Sequence, residues 1–265
     1  MTRRLIVRPG AIGDTIVSLP ALEHLCTEST ELWAPSVNLP LLSHLGATRT
    51  LVSTGLDALH LAQPTLDCLA AFDDIVSWYG ANREDFRAQV GHLPFRFFTA
   101  LPPTGSPLHA VDYYLDQVGA PLGASPRLPI EHRPAGFAVI HPFSGGKSKN
   151  WPLARFQEVA RLLQLPVHWC AGPEESLDEA FRFQDLGDLA RWLSTASLFV
   201  GNDSGIAHLA AACGVPVVAV FGPTDPAVWA PRGRHVRIAA WDWPPARVAA
   251  EASDLLTASA ETRSR

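Results

Sequence analysis

Cysteine pairs and long hydrophobic runs are both missing from the sequence. Its 265 residues include only four cysteines, at positions 26, 68, 170 and 213, and no two of them form a CxxC pair. This spacing excludes a zinc ribbon and a dense disulfide framework, and it predicts free thiols in a reducing compartment. The longest uncharged stretch, residues 204–224, contains glycine, proline and histidine. It is therefore a poor membrane span and a good buried helix–strand pair.

A basic excess and several common catalytic motifs are also absent. The 21 Lys and Arg residues against 26 Asp and Glu residues give a net charge of -5, which argues against general nucleic-acid binding. The sequence contains no HxxxH or HExxH metal-ligand spacing, no Asp-x-Asp and no Gly-x-Ser-x-Gly. The apolar run after Arg3 and Arg4 is too short for the core of a signal peptide, so we expect a soluble cytoplasmic protein.

Short apolar runs alternate with helical patterns along the chain, and this alternation predicts an α/β fold with parallel sheets and right-handed crossovers. In the first half the predicted strands are 5–7, 32–33, 50–52 and 75–78, with a helix over 14–25. In the second half the predicted strands are 137–141, 167–170, 198–200 and 215–221, and the predicted helices are 153–163, 186–194 and 204–213.

Prolines cluster between positions 121 and 134, where apolar runs are few, and they indicate an interdomain linker. We therefore predict an N-terminal domain over residues 1–125, a C-terminal domain over 126–245, and a C-terminal helix with a polar tail over 246–265. Both domains are expected to be Rossmann-like, with mostly parallel sheets facing a central cleft.

The first candidate site follows the first predicted strand, where Gly10 and Gly13 allow a tight turn at the carboxyl edge of the sheet. Ligands of open α/β folds bind at this edge. The GxGxxG spacing of dinucleotide-binding proteins is missing. Asp14 opens the next helix, and an ordinary capping role for it remains an alternative to a catalytic one.

The second candidate is the loop 144–149, which imitates a phosphate-binding P-loop. A P-loop requires glycine at the position of His141, and it continues directly into its helix, so this assignment is rejected. The loop remains suited to contact an anion through Ser144 with Lys147 or Lys149. A solvated basic loop is the alternative.

The third candidate, residues 201–208, follows a strand and opens a helix of small residues. Unpaired N–H groups of residues 203–206 are expected there, which is a suitable site for a diphosphate. His208 lies one turn further along, as either a site residue or a buried core histidine. The turns that carry Thr224 and Glu174 follow neighbouring strands, so one ligand pocket is predicted at this edge of the sheet.

Several of these motifs occur together in the order that is typical of one known family. They are Gly13-Asp14 with residues 19–22, His141-Pro142, Lys149-Asn150-Trp151-Pro152, Asn202-Asp203-Ser204-Gly205 with His208, and residues 221–224. In these motifs the chain resembles glycosyltransferase family 9, the ADP-heptose:lipopolysaccharide heptosyltransferases. The resemblance is strong over 137–233 and good over 5–25.

The resemblance implies a GT-B fold, with the nucleotide-sugar donor bound mainly by the C-terminal domain and the acceptor by the N-terminal one. It also implies inverting, metal-independent transfer of heptose from ADP-heptose to a lipopolysaccharide-core acceptor, without a cofactor. The acceptor is lipid-linked, so we expect peripheral contact with the inner face of the cytoplasmic membrane and no nucleic-acid partner.

The resemblance also gives roles to individual residues. Asp14 corresponds to the general base, and Lys149 to the cation that stabilises the leaving diphosphate. The donor-binding set is Gly13, Ser144, Lys147, Glu174, Asp203, Ser204, Gly205, His208 and Thr224, in which Glu174 corresponds to the acid that contacts the donor ribose.

The chain departs from the family between residues 26 and 136, where members of the family are longer. The only basic cluster in this half that suits a phosphorylated acceptor is Arg83, Arg87 and Arg96, and a plain surface role is its alternative. A non-catalytic nucleotide-sugar-binding module with a reduced acceptor domain is therefore a second hypothesis. A sugar-nucleotide epimerase is a third, but it requires an additional acid/base set that the sequence does not offer.

Overall fold

The computed structural model describes residues 2–263 and divides them into two compact units. The first unit comprises the described residues up to Ser106 together with Ala110–Ala124. The second comprises Pro107–His109 and the described residues from Ser125 onward.

The first unit contains a five-stranded parallel sheet with the strand order β3-β2-β1-β4-β5. Its elements are β1 (Arg4–Val7), α1 (Ile12–Leu25), β2 (Thr30–Ala34), α2 (Leu39–Leu42), β3 (Ala47–Thr50), α3 (Leu51–Thr54), α4 (Gln63–Leu69), β4 (Asp74–Ser77), α5 (Glu84–Val90), β5 (Phe95–Phe97) and α6 (Ala110–Gln117). The central strand β1 is apolar and buried at Leu5, Ile6 and Val7, as expected for a strand covered on both faces.

The second unit contains another five-stranded parallel sheet, with the order β10-β9-β8-β6-β7. Its elements are β6 (Ala138–His141), α7 (Leu153–Leu162), β7 (Val167–Trp169), α8 (Leu186–Leu193), β8 (Leu198–Asn202), α9 (Gly205–Ala212), β9 (Val217–Phe221), α10 (Pro226–Trp229), β10 (Val236–Ala240) and α11 (Pro245–Arg263). A short 3-10 turn, Lys147–Lys149, precedes α7.

The carboxyl ends of β6, β8 and β9 lie side by side in the second sheet because these strands are neighbours and parallel. All five residues of β8 and of β9 are buried, which fixes both strands in the middle of the sheet. The loops that follow them therefore meet at one edge.

The predicted strand over residues 50–52 is wrong, because β3 ends at Thr50 and α3 begins at Leu51. The β-branched residues of this stretch imitate a strand, but Val52 is 77% exposed and has no sheet face on which to pack. The Thr54 hydroxyl donates to the Leu51 carbonyl, and Gly55, in the left-handed region at φ 67°, ends the helix.

Candidate functional site

Asp203 lies at the centre of a hydrogen-bonded cluster at the carboxyl edge of the second sheet. The Lys149 Nζ donates to Asp203 Oδ2 at 2.7 Å, and the Thr224 hydroxyl donates to the same oxygen at 2.5 Å. The Ser144 hydroxyl donates to the Asp203 carbonyl at 2.7 Å. Three residues predicted for the donor site and the predicted catalytic Lys149 therefore lie together, although they come from loops that follow three different strands.

The beginning of α9 supplies unpaired backbone donors beside this cluster. Ser204 has an extended backbone and caps the helix, because its hydroxyl accepts from the Ala207 N–H. Within residues 2–263, the N–H groups of Ser204, Gly205 and Ile206 have no acceptor. They form the kind of helix terminus that binds anions.

The expectation of an unpaired N–H group at Asp203 is wrong. This N–H donates to the Val220 carbonyl at 3.0 Å, as part of the ladder between β8 and β9. Strand β8 runs to Asn202, two residues beyond its predicted end, and the ladder therefore reaches Asp203.

His208 is buried one turn along α9, close enough to Asp203, His109 and Lys149 to interact with their charges. Burial is the main influence, and it lowers the pKa of His208 from 6.5 to about 4. The Asp203 carboxylate opposes this shift, whereas His109 and Lys149 add to it. His208 is therefore neutral at pH 7 and suited to hydrogen bonding rather than to charge neutralisation.

Asn202 holds the loop that carries Ser144, Lys147 and Lys149. Its Nδ2 donates to the Pro142 carbonyl at 2.8 Å, and its Oδ1 accepts from the Trp151 N–H at 2.9 Å. This buried amide joins the end of β8 to both ends of the loop. Asn202 belongs to one of the motifs in the sequence, but this positioning role depends on contacts with Pro142 and Trp151 that the motif does not reveal.

Lys147 lies outside the cluster. Its side chain is exposed on the 3-10 turn, and it is in no ion pair within the described chain. Lys149 is only one-third exposed and is held by Asp203. These are the only two lysines in the sequence, and they differ in environment: Lys147 is exposed, whereas Lys149 is paired with Asp203.

Glu175, rather than the predicted Glu174, has an ordered place in the loop that follows β7. Its Oε2 accepts from the Gly172 N–H at 2.6 Å and lies 3.2 Å from Nε2 of the buried His141. Burial alone would raise the pKa of Glu175, but the hydrogen bonds from His141 and Gly172 outweigh it and lower this pKa below its usual value. The Glu174 side chain is exposed, so its ribose contact stays a prediction.

Asp14 belongs to the first unit and occupies the third position of α1, which begins at Ile12. Its Oδ2 accepts from the Ala11 N–H at 2.9 Å, so the capping role left open by the sequence is present in the structure. Gly13 lies just before it in the first turn. Gly10 turns the chain at φ 116°, and a Cβ there would come within 2.9 Å of Asp14 Cβ and Oδ2.

Arg8 holds the first turn of α1 in place through hydrogen bonds. The sequence does not predict this role. The buried guanidinium donates to the Asp14 carbonyl at 2.7 Å and to the Ser18 hydroxyl at 2.9 Å. It also packs over the Tyr114 ring at 4.7 Å. The fixed positions of Arg8 and Gly10 hold the first turn of α1, and with it the Asp14 carboxylate.

The three arginines predicted for the acceptor all have partners within the first unit. Arg83 pairs with Asp85, and Arg96 donates through two nitrogens to Asp74 at 2.8 Å each. Arg87 packs over the ring of Phe97. The charges of Arg83 and Arg96 are therefore partly neutralised where they stand.

No group of three or more His, Cys, Asp and Glu side chains within residues 2–263 is arranged to hold a metal ion. Among the same residues, no helix combines the length and apolar character needed to cross a membrane.

Known proteins resemble the chain in sequence over part of its length. Lipopolysaccharide heptosyltransferase 1 of Salmonella typhimurium is 33% identical over 114 residues, which cover 37% of this chain and 36% of that protein. Lipopolysaccharide heptosyltransferase 3 of Escherichia coli K12 is 46% identical over 80 residues, or 30% of this chain and 20% of that protein. The matched regions thus span about a third of the first relative's length and a fifth of the second's.

Solved structures resemble the chain over nearly its whole length. The glycosyltransferase family 9 protein from Veillonella parvula has a TM-score of 0.75 at 19% identity, covering 97% of this chain and 98% of that one. The Escherichia coli ADP-heptose lipopolysaccharide heptosyltransferase II has a TM-score of 0.76 at 17% identity, covering 97% and 99%. At this identity the likeness establishes the fold, which is of the GT-B type with two Rossmann-like units.

A family model described as glycosyltransferase family 9 (heptosyltransferase) matches residues 109–251, which is more than half of the chain and includes the whole Asp203 cluster. The chain therefore belongs to glycosyltransferase family 9.

Proposed function

We propose that the protein is a glycosyltransferase that moves a sugar, heptose, from ADP-heptose to a lipopolysaccharide-core acceptor. The observation that carries this proposal is the pairing of Lys149 with Asp203 beside the unpaired N–H groups of Ser204, Gly205 and Ile206. A cation and converging backbone donors suit a diphosphate leaving group. The names of the relatives supply the sugar and the acceptor class.

The donor diphosphate is proposed to bind at the beginning of α9. An ammonium group has three donors, and Asp203 takes one of those on Lys149, so two remain for phosphate oxygens. Thr224 holds the Asp203 carboxylate, and Asp203 in turn orients Lys149. The remaining ammonium donors of Lys149 can still bind the ligand. Ser144, Lys147 and His208 complete the proposed donor contacts, and Glu175 or Glu174 faces the ribose.

The transfer is proposed as a single displacement with inversion. The carboxylate of Asp14 accepts the proton of the acceptor hydroxyl, while that oxygen forms a bond to the anomeric carbon. The bond between this carbon and the diphosphate oxygen breaks, and the leaving ADP takes the electron pair. Lys149 and the N–H groups of α9 stabilise the charge that develops, which leaves no step that requires a divalent ion.

Arg83, Arg87 and Arg96 are proposed to contact anionic groups of the acceptor, after exchanging their present partners. Because such an acceptor is lipid-linked, the protein is proposed to work at the inner face of the cytoplasmic membrane through peripheral contact. We expect no nucleic-acid partner.

The central experiment is transfer from ADP-heptose to heptose-deficient lipopolysaccharide in the presence of EDTA, beside a panel of other nucleotide sugars. Asp14→Asn is expected to lower kcat by at least about a hundredfold, since general-base catalysis contributes 10²–10⁴-fold. ADP affinity is expected to stay unchanged in this variant. Wild-type turnover by Asp14→Asn would remove Asp14 as the base.

The two adjacent acids of the β7 loop form a matched pair. If the ribose contact belongs to the ordered carboxylate, Glu175→Gln raises the KM for ADP-heptose and Glu174→Gln leaves it near the wild-type value. The reverse result would return the ribose contact to Glu174.

The two lysines allow donor binding to be observed without turnover. In NMR spectra of protein labelled with ¹³C only at the lysine side chains, two Cε signals are expected, because the chain contains only Lys147 and Lys149. ADP is expected to shift the Lys149 signal more strongly, and Lys149→Gln assigns it. Equal small shifts of both signals would contradict the proposed diphosphate contact.

A non-catalytic nucleotide-sugar-binding module remains the second candidate function. The ion pairs of Arg83 and Arg96 within the first unit favour it, because they occupy the proposed acceptor contacts. Calorimetric binding of ADP-heptose without transfer or hydrolysis over many acceptors would establish this alternative.

A further inference from the structure

The second unit contains a cavity at the end of α9 that is opposite to the proposed donor site. It has a volume of about 610 Å³, and its walls include Ala211 and Ala212, the last residues of this helix. The donor-site residues Ser204 and Gly205 lie at the beginning of the same helix. Eight helical residues span about 12 Å, so the cavity is a separate place on the molecule.

The two formally charged residues that line the cavity are both arginines. Arg127 and Arg234 contribute guanidinium groups, His132 and His235 contribute imidazoles, and no lining residue is Asp or Glu. This is unusual in a chain with 26 acidic and 21 basic side chains. Within the described residues neither Arg127 nor Arg234 is in an ion pair, so both charges are available to an anion.

The inner wall of the cavity is apolar. Pro126, Leu128 and Cys213 are buried residues of this wall. The wall suits a hydrophobic group, whereas a bare inorganic ion would leave it uncovered.

The C-terminal end of α9, where backbone carbonyls would repel an anion, disfavours anion binding only weakly. Its last carbonyls are already hydrogen-bonded, since Ala211 accepts from the Gly214 N–H and Ala212 accepts from the Leu128 N–H. The dipole of a helix places about half a negative charge at this end, against the two full positive charges of the arginines. The positive charges dominate.

We propose that this cavity binds a small molecule in which a phosphate group is attached to an apolar body. Arg127 and Arg234 hold the phosphate, and the apolar body packs against Leu128 and Cys213. Cavities of about 300–1,000 Å³ accommodate ligands of this kind. The site is independent of the proposed sugar transfer.

Phenyl phosphate is a suitable probe, because it joins a dianion to an apolar ring. Calorimetric titration is carried out on the full chain with saturating ADP, so that the donor site is occupied. We expect one saturable site, and we expect the dissociation constant to rise about tenfold or more in Arg127→Gln/Arg234→Gln, as loss of a charged hydrogen bond predicts. The matched control is Arg191→Gln/Arg237→Gln, in which two other surface arginines of the second unit are neutralised.

Three results would overturn the proposal: no saturable binding, equal binding by the cavity variant, or equal weakening in the control variant. Inorganic phosphate binding as tightly as phenyl phosphate would also contradict it, because the apolar wall would then contribute nothing. Vesicles of phosphatidylglycerol distinguish a lipid headgroup: arginine-dependent binding to vesicles without binding of phenyl phosphate would refute a small-molecule site. Failure of ADP to bind would count against the transferase proposal alone, since the arginine dependence still identifies the cavity.

Discussion

At the residue scale, Asp203 organises the proposed donor site through a single carboxylate oxygen. The side chain is 5% exposed, and a carboxylate that is buried to this extent requires strong hydrogen-bond partners. Lys149 and Thr224 supply them at Oδ2. The consequence is that Lys149 is held in place before any ligand arrives, which is the kind of preorganisation that favours binding of a diphosphate.

The pair of Asp203 and Lys149 should show energetic coupling. Asp203→Asn and Lys149→Gln are each expected to lower the free energy of unfolding by roughly 1–3 kcal/mol, because each substitution leaves the other side chain without its charged hydrogen-bond partner. The double variant should cost at least about 0.5 kcal/mol less than the sum, as contacting residues do. Urea unfolding of the four proteins measures this difference. Additive effects would show that the contact contributes nothing to stability.

His208 should make the protein sensitive to mild acid. Its pKa falls from 6.5 to about 4 on folding, so between these values the unfolded chain binds more protons than the folded one. The stability that comes from neutral His208 is therefore complete above pH 6.5 and is lost as the pH falls towards 4. The slope approaches about 1.4 kcal/mol per pH unit at most.

The measurement compares wild type with His208→Gln from pH 7 to pH 4.5. The free energy of unfolding of the wild type should fall faster over this window, whatever the constant offset between the two proteins. Carboxylates with a lowered pKa, such as Glu175 and Asp74, also make the protein less stable in acid. Both proteins contain them, so their contribution cancels in the difference. Parallel curves would mean that His208 titrates normally.

The sequence predicts the site residues that follow a strand end, and it does not predict the residues that act through tertiary contacts. Ser144, Lys149, Asp203 and Thr224 were all predicted, because each follows a strand at the carboxyl edge. Arg8 could not be assigned, since its role depends on Ser18 and Tyr114 packing around it. The choice between Glu174 and Glu175 depends on which side chain turns towards His141, and the spacing does not contain that information.

At the scale of elements, the strongly buried strands were predicted well, whereas three of the four edge strands, β3, β5 and β10, were not; the fourth, β7, lies within the predicted run 167–170. Strand β9, with five buried residues, lies within the predicted run 215–221. Strand β5 has no fully buried residue, and β10 has one, so neither carries a clear hydrophobic pattern and both were missed. Pairing with the neighbouring strand determines β5 and β10, and sequence periodicity does not record that pairing.

Gly201 allows β8 to pack against β6, and its replacement should be costly. A Cβ at this position would lie 2.8 Å from Phe199 Cε1 and 2.9 Å from the His141 carbonyl oxygen. Both neighbours are buried, so Gly201→Ala should lower the free energy of unfolding by about 1–3 kcal/mol, as overpacking does. Gly145→Ala, with no atom within 4 Å of the added Cβ, is the matched control for chemical denaturation. Equal stability of the two variants would show that β8 shifts freely.

At the scale of the whole molecule, each unit has a core of its own. Leu5, Trp33 and Phe86 belong to the core of the first unit, and Trp151 and Val200 belong to that of the second. The proposed diphosphate contacts lie entirely in the second unit, whereas Asp14 belongs to the first. Ligand binding and catalysis can therefore be tested separately, through the stability of one unit and a substitution in the other.

ADP should stabilise the second unit without a divalent ion. A ligand that binds only the folded state at a hundred times its dissociation constant adds about 2.7 kcal/mol, which corresponds to a rise in Tm of roughly 5–10 °C for a unit of this size. Lys149 and the N–H groups of α9 supply the positive potential, so the rise should be the same in EDTA and in Mg²⁺. Scanning calorimetry measures it, with Lys149→Gln reducing the rise and Asp14→Asn leaving it unchanged. A rise that appears only with Mg²⁺ would refute metal-independent donor binding, and loss of the rise in Asp14→Asn would show that the donor also depends on the first unit.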